Sequence, residues 1–193
     1  TQVVTVIPYF YRFIKSIPDL KSLAKVQNKK LIKLWEGLGY YSRVRNLKKT
    51  AQVVIKNFNG KLPNNLEDLI SLPGIGNYTA SAILAIAFNK PYIPLDGNIE
   101  RVLKRYLYLK KDNEIQKEYL QEKKLVFGTS NRSRDYAQAL MELGSLVCKP
   151  TSPLCNQCPI SNKCKSLEKN DFDLTKVVKK NIDKYFLLKV YKK

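Results

Sequence analysis

Leu72-Pro73-Gly74-Ile75-Gly76 lies near the middle of the chain, between the short apolar segment Leu66 to Ser71 and the longer one Tyr78 to Phe88. A proline and two glycines end one helix and begin another, because glycine permits positive φ and lets a second backbone approach closely. The first amides of the second helix have no acceptor within it, and the helix dipole favours an anion there. The stretch therefore predicts two helices joined by a hairpin that can hold a phosphate.

A single carboxylate, Asp96, comes after the second apolar segment and before the next helical pattern, Ile99 to Leu109. An aspartate in this place is commonly an N-cap, a role that contributes about 1 kcal/mol. It is equally a candidate for catalysis beside a phosphate-holding hairpin. The residues by themselves leave both roles open.

Apolar residues elsewhere recur with the 3.6-residue period of a helix. We predict helices over residues 1–17, 22–26, 29–36, 44–58, 66–71, 78–88, 99–109 and 136–147. No alternating strand pattern precedes residue 184. The predicted fold class is all-α.

The C-terminal end has a different composition. Residues 168–184 are rich in Lys, Asp and Asn, as linkers are, and Tyr185 to Tyr191 is typical of a β-strand. A single strand is not stable alone, so we expect it to begin a β-rich domain that continues beyond residue 193. The chain also lacks an initial methionine, and we expect it to be cut at both ends.

The charge balance favours a polyanionic partner. The chain has 35 Lys and Arg against 16 Asp and Glu, a formal net charge of +19. Part of the lysine content is what an AT-rich genome would produce whatever the function. No apolar run reaches the roughly 18 residues of a membrane span, and no signal peptide is recognisable.

The four cysteines are clustered as Cys148, Cys155, Cys158 and Cys164, a C-x6-C-x2-C-x5-C pattern, and the chain has no histidine. Four thiolates can hold an iron–sulfur cluster or a tetrahedral zinc ion. Only one pair has the close C-x2-C spacing that zinc ribbons use twice. The spacing favours a cluster in a reducing compartment and leaves zinc and disulfides as alternatives.

Together, the hairpin, Asp96 and the cysteine pattern resemble the helix-hairpin-helix DNA glycosylases that carry a [4Fe-4S] cluster. The resemblance extends from Thr1 to about Cys164. It implies a two-lobed fold, with a helical barrel lobe over residues 1–90, a cluster lobe over 91–167, a linker over 168–184 and a truncated domain from 185. It also implies that all four cysteines bind the cluster.

Three further segments resemble the MutY type of adenine DNA glycosylase within that superfamily: Thr1 to Val3 with Val6 to Phe10, Trp35 to Leu47, and Leu95 to Asn98. Position 78 is tyrosine, whereas bifunctional endonuclease III-like enzymes have a lysine nucleophile there. The resemblance therefore implies removal of adenine opposite 8-oxoguanine or guanine without strand cleavage. Thymine-mismatch glycosylases also have this tyrosine and remain an alternative, as does a non-catalytic DNA-binding module.

The resemblance assigns roles to residues. Asp96 stabilises the sugar cation, Asn98 orients groups beside it and Tyr78 lies near the sugar. Tyr40 is the wedge that unstacks the duplex. The other expected DNA contacts are Arg43, Arg45, Leu72, Gly74, Gly76, Asn77 and Lys149.

The family's protonating glutamate would lie six residues before Thr1. We therefore expect the 193 residues alone to be inactive or nearly so. We expect the whole protein to be a monomer that acts on double-stranded DNA in the bacterial cytoplasm, associated with the nucleoid.

Overall fold

The computed structural model describes residues 3–109, 131–172 and 174. Helices and short connections make up this part of the chain, and no β-strand occurs within it. The all-α prediction is confirmed. The predicted strand at residues 185–193 lies outside the described residues.

The first lobe begins with four helices, α1 (Val3–Ser16), α2 (Leu20–Lys25), α3 (Asn28–Trp35) and α4 (Tyr41–Asn57). The Asp19 side chain caps α2 by accepting a hydrogen bond of 2.7 Å from the Ser22 amide. Helices α2 and α3 both pack against α4. Their shared core consists of Ile17, Leu23, Leu31, Val44 and Ala51.

The hairpin follows α4. Helix α5 (Leu66–Ser71) is capped by Asn65, and α6 (Asn77–Ala82) continues as a π-helical turn, Ile83–Ala87. The sequence predicted one helix over 78–88, and the widened last turn is a local feature that the 3.6-residue period does not reveal. A second core cluster, Val54, Leu69, Leu72, Ala80 and Leu84, joins the hairpin to α4.

The other helices carry Asp96 and the cysteines. Helix α7 (Gly97–Leu107) packs against α8 (Ser133–Glu142) and against the π-helical turn Leu143–Val147 that extends α8. Helix α8 also packs against the π-helical turn of the hairpin. The chain from Cys148 onward forms two 3₁₀ turns and the short α9 (Lys165–Glu168), which lies against α7.

The segment after α9 is packed as far as it is described. Asp171 accepts a 2.7 Å hydrogen bond from the Tyr108 hydroxyl, and Leu174 is buried. The first residues of the predicted linker at 168–184 therefore lie on α7. The division into lobes at residues 90–91 stays a prediction, as does the linker beyond residue 174. No described helix is long and apolar enough to cross a membrane.

Candidate functional site

The hairpin turn is shaped by a close approach of α4. Gly74 has φ +77°, and a Cβ placed on it would lie 2.6 Å from Asn46 Nδ2 and 2.7 Å from Asn46 Cβ. The Thr50 hydroxyl on the same helix donates a 2.9 Å hydrogen bond to the Pro73 carbonyl. Asn46 and Thr50 therefore fix the turn, and the sequence did not single out either of them.

The amide end of α6 is open to solvent. Gly76 is its N-cap and supplies no side chain to the first amides, while Asn77 and Tyr78 are exposed. Tyr78 is 46% exposed. Leu72 differs from its neighbours, since its side chain is 2% exposed and belongs to the core. The Leu72 side chain therefore anchors the hairpin, and the expected contact of this residue with DNA, which only its backbone could make, stays a prediction.

Tyr40 stands on a turn with unusual backbone conformation. Gly37, Gly39 and Tyr40 have φ of 95°, 72° and 47°. Trp35 Nε1 donates a 2.9 Å hydrogen bond to the Gly39 carbonyl, which holds the turn. The Tyr40 side chain is 73% exposed, and the Arg43 guanidinium lies 4.9 Å from its ring centroid. An aromatic ring and a cation thus lie together on the surface at the start of α4. Arg45, two residues after Arg43, is also exposed.

Asp96 caps α7. Its Oδ1 accepts hydrogen bonds from the Asn98 amide at 3.0 Å and the Ile99 amide at 2.8 Å, and its Oδ2 accepts one from Asn98 Nδ2 at 3.2 Å. The N-cap alternative is therefore correct as a structural role. It does not exclude chemistry, because the side chain is only partly buried and its three hydrogen bonds fix the carboxylate in one orientation.

Arg101 connects the Asp96 turn to the cysteine segment. Its Nη2 donates to Asn98 Oδ1 at 2.9 Å and to the Gly144 carbonyl at 2.6 Å, while its Nε donates to the Cys148 carbonyl at 2.8 Å. The residue type did not distinguish this arginine among the 35 Lys and Arg residues of the chain. Its only signal was its position one turn after Asn98.

Gly144 is a second residue that the sequence did not single out. A Cβ at this position would lie 2.7 Å from Asn98 Cβ and 2.9 Å from the Asn98 carbonyl oxygen. A lone glycine within a helical pattern is a recognisable sign of such a close approach. Gly144 therefore lets α8 and its extension reach the Asp96 turn.

Glu100 has a simple structural role. Its carboxylate lies 2.7 Å from Lys104 Nζ, and the Lys104 side chain is only 4% exposed. The glutamate thus pairs with a buried cation on the next turn of α7.

All four cysteines are free thiols, and they line one cavity. The space measures about 310 Å³ including its solvent-open part, and its other walls include Arg105, Leu154 and Phe172. Within the described ranges, no three Cys, Asp or Glu side chains are arranged to hold one metal ion.

The thiols nevertheless influence one another. Burial raises the pKa of the Cys155 thiol, and the neighbouring thiols, Cys164 first, raise this pKa further, while Arg105 lowers it. The cavity thus has a four-sulfur donor set with a cation on its wall. Such a set suits a thiolate-bound iron–sulfur cluster or zinc by its chemistry.

Comparisons with known proteins identify the family of this chain. Residues 1–126 match the HhH-GPD family, described as "HhH-GPD superfamily base excision DNA repair protein". The chain is similar to the adenine DNA glycosylase of Buchnera aphidicola subsp. Baizongia pistaciae, with 42% identity over 170 residues, covering 88% of this chain and 48% of the relative. It is also similar to the adenine DNA glycosylase of Rattus norvegicus, with 40% identity over 169 residues, covering 86% of this chain and 33% of the relative.

Solved structures share the fold. A thermostable thymine-DNA glycosylase matches with a TM-score of 0.73 and 28% identity, covering 85% of this chain and 76% of that one. A non-covalent endonuclease III–DNA complex matches with a TM-score of 0.69 and 26% identity, covering 86% of this chain and 78% of that one. The chain spans 48% of the length of the bacterial relative and 33% of the length of the mammalian one.

Proposed function

Because this chain belongs to the HhH-GPD superfamily of base excision DNA repair proteins, we propose that the protein is a DNA glycosylase that removes adenine mispaired with 8-oxoguanine or guanine. The name shared by its relatives supports adenine as the base. The observation that carries the chemistry is Asp96, a partly buried carboxylate held by three hydrogen bonds. The hairpin and the turn that carries Tyr40 offer open amides, an exposed aromatic ring and a cation, which suit them to hold DNA.

Asp96 stabilises the sugar as the bond to the base breaks. Cleavage of an N-glycosidic bond builds positive charge on C1′ and the ring oxygen, as in glycoside hydrolysis. A carboxylate fixed in advance stabilises that charge without having to reorient. Asn98 donates to both oxygens of the Asp96 carboxylate, through its amide and its side chain, and Arg101 in turn donates to Asn98 Oδ1.

The exposed surface positions the duplex. The open amides after Gly76 receive a backbone phosphate, and Arg43, Arg45 and Lys149 contribute charge that orients the DNA without reading its sequence. Tyr40 fills the space left in the stack when the adenine rotates out of the duplex. Its ring is 73% exposed, and the Arg43 guanidinium lies 4.9 Å from the ring centroid.

The reaction ends at base removal. Strand cleavage by a lyase needs an amine that forms a Schiff base with the sugar, and Tyr78 has a phenol at the position where bifunctional enzymes have lysine. The product is therefore an abasic site in an intact strand. Thymine removal opposite guanine remains the second candidate, supported by the fold match to a thymine-DNA glycosylase.

We assign the four cysteines to a [4Fe-4S] cluster. All four thiols line one cavity, and only one pair has the close C-x2-C spacing that zinc ribbons use twice. Four thiolates in one cavity would hold such a cluster. When bound, the cluster ties the loop that contains Lys149 to the segment around Cys164.

A base-release assay tests whether the protein removes adenine. The protein expressed from its complete reading frame is incubated with duplexes that contain A opposite 8-oxoguanine, A opposite G, or T opposite G. We expect adenine release from the first two, with strand breaks only after alkali. Thymine release instead would support the second candidate, and tight mismatch binding without any release would support a non-catalytic module.

Cofactor content is measured separately on the same preparation. We expect iron and sulfide with visible cluster absorbance, and Cys155→Ser is expected to lose that absorbance and weaken DNA binding together. Zinc in place of iron would contradict the cluster. DNA binding that survives cluster loss unchanged would contradict its role in shaping the loop.

A further inference from the structure

Arg105 is a buried cation at the wall of the cysteine cavity. The residue is 4% exposed on α7, and its Nη1 lies 3.5 Å from Cys148 Sγ. The same nitrogen donates to the Lys149 carbonyl at 2.7 Å, and Nη2 donates to the Pro150 carbonyl at 2.6 Å. The guanidinium therefore touches both a thiol and the loop that leads to Cys155.

Arg105 also contacts the chain beyond Cys164. Its Nε donates to the Phe172 carbonyl at 3.3 Å, and its Cζ lies 5.7 Å from the centroid of the Phe172 ring. Its own carbonyl lies 3.6 Å from Cys164 Sγ, which donates to it. Arg105 thus joins the loop between Cys148 and Cys155 to the segment after Cys164.

No carboxylate pairs with this guanidinium in the part of the chain that the structure describes. Lys104, the neighbouring buried cation, differs because Glu100 lies 2.7 Å from its ammonium. A buried charge is costly unless an opposite charge accompanies it, and carbonyl oxygens are neutral dipoles. Among the described groups in direct contact with Arg105, only the thiols of Cys148 and Cys164 can become full negative charges.

We infer that Arg105 is the internal counter-charge for an anionic thiolate-bound group in this cavity. The inference rests on the proposed [4Fe-4S] cluster, which with four thiolates has a net negative charge. Two disulfides would be neutral and would leave the guanidinium uncompensated. Arg105 is therefore a positioning residue, which retains the cluster and raises its reduction potential by favouring the more negative, reduced state.

The test compares two substitutions that separate charge from hydrogen bonding. Arg105→Gln keeps a donor group but removes the charge, and Arg105→Lys keeps the charge but removes the planar fork. Arg134→Met is the control, because it removes an exposed arginine from the first turn of α8, at the end far from Cys148. Each protein is measured for cluster half-life in the presence of a chelator and for reduction potential by voltammetry.

We expect Arg105→Gln to lose its cluster about tenfold faster than the native protein and to have a lower reduction potential. Arg105→Lys should keep a near-native potential while losing the cluster somewhat faster, and Arg134→Met should change neither quantity. An Arg105→Gln protein with native half-life and native potential would overturn the inference. Equal shifts of potential in the Gln and Lys variants would also overturn it, since geometry rather than charge would then be the cause.

Folding failure is informative as well. If Arg105→Gln does not fold, Arg105→Met takes its place as an uncharged side chain of similar length. Failure of both uncharged variants beside a folded, cluster-containing Arg105→Lys protein would support the need for the charge, and failure of Arg105→Lys too would overturn it. Native protein without iron would overturn the cofactor proposal and this inference together, whereas native protein with a full cluster and unaffected variants would overturn only the inference.

Discussion

Two regions of the molecule hold their functional groups in different ways. We call residues 37–45 and 72–79 the hairpin surface, and we call Asp96, Asn98, Arg101, Arg105, Gly144 and Cys148 the Asp96–cysteine network. The hairpin surface is shaped by backbone conformation, with positive φ at Gly37, Gly39, Tyr40 and Gly74. Most of its side chains remain exposed.

The Asp96–cysteine network depends on side chains that bind distant carbonyls. Arg101 reaches the carbonyls of Gly144 and Cys148, and Arg105 reaches those of Lys149, Pro150 and Phe172. The charged side chains of Asp96, Arg101 and Arg105 are buried or half-buried, and each one is hydrogen-bonded to identified groups of the chain. One region is thus shaped by its backbone conformation, and the other is held by side-chain hydrogen bonds to distant parts of the chain.

The difference fits what we propose that each region holds. A surface that receives a polyanion from solution needs accessible cations and amides, and its binding energy is strongly dependent on salt. A network that keeps one carboxylate in place must exclude alternative orientations, which buried hydrogen bonds do. Substitutions in the hairpin surface should therefore change DNA affinity, and those in the network should change rate or cofactor retention.

The largest expected effect is that of Asp96→Asn on the rate of base release. Asparagine also caps helices well, so the variant should keep its thermal midpoint and its DNA affinity. Loss of the charge that stabilises the sugar cation should reduce single-turnover adenine release about 10²–10³-fold. Asp96→Ala serves as the comparison, because it should lose the cap as well, at about 1 kcal/mol of stability. A native rate in Asp96→Asn would remove this residue from the chemistry.

Gly144→Ala tests the packing within the network. Glycine to alanine in a helix normally stabilises by about 0.5–1 kcal/mol, but here the new Cβ meets the Asn98 backbone. Overpacking of this kind costs about 1–3 kcal/mol, so the clash should prevail. Urea unfolding should show the loss, and base release should slow while DNA affinity is retained. A stabilised variant would mean that α8 can move away from the Asp96 turn at little cost.

Gly74→Ala tests the hairpin surface. Alanine at φ +77° is strained by about 1–2 kcal/mol, and its Cβ also meets Asn46. We expect weaker DNA binding, measured by fluorescence anisotropy at several salt concentrations, with a native rate at saturating protein. The double variant Gly74→Ala/Asn46→Ala should recover only the part due to Asn46 Nδ2 and Cγ, because the contact with Asn46 Cβ at 2.7 Å and the backbone strain both remain. Full recovery would show that the left-handed conformation is unimportant.

The sequence was most informative about the hairpin surface. Pro73 and the two glycines predicted the turn, and helical periodicity placed α5 at Leu66–Ser71 as observed. The left-handed Tyr40 was not predictable, because tyrosine has no preference for that region and the neighbouring Gly39 and Trp35 impose it. Leu72 was assigned to DNA from its place in the motif, although burial places its side chain in the core.

The network was predicted only at its ends. Asp96 and the cysteines were recognisable by residue type and spacing, whereas the arginines between them were not. Arg101 and Arg105 act on carbonyls 43 to 67 residues away in the chain. Backbone carbonyls are present at every residue, so no sequence pattern reveals which of them a side chain meets. The roles of Asp96, Asn98 and Tyr78 in chemistry stay predictions.

The smallest expected effect concerns Asp19, an exposed cap that serves as the counterpart of Asp96. Hydrogen bonds from Ser22, first that of its backbone amide, lower the pKa of the Asp19 carboxyl below its ordinary value. A carboxyl with a depressed folded-state pKa adds stability at pH values above its unfolded-state pKa. This contribution disappears as the pH falls through the folded-state pKa.

Asp19→Asn should therefore have a slightly lower thermal midpoint than the native protein near neutral pH, and the two midpoints should converge in acid. Its base-release rate should stay native, because α2 packs against α4 and carries no residue that we place at the substrate. The matched Asp-to-Asn changes thus separate a cap that only stabilises a helix from one that also acts on the sugar. Equal loss of rate at positions 19 and 96 would mean that Asp96, too, matters only through the helix it begins.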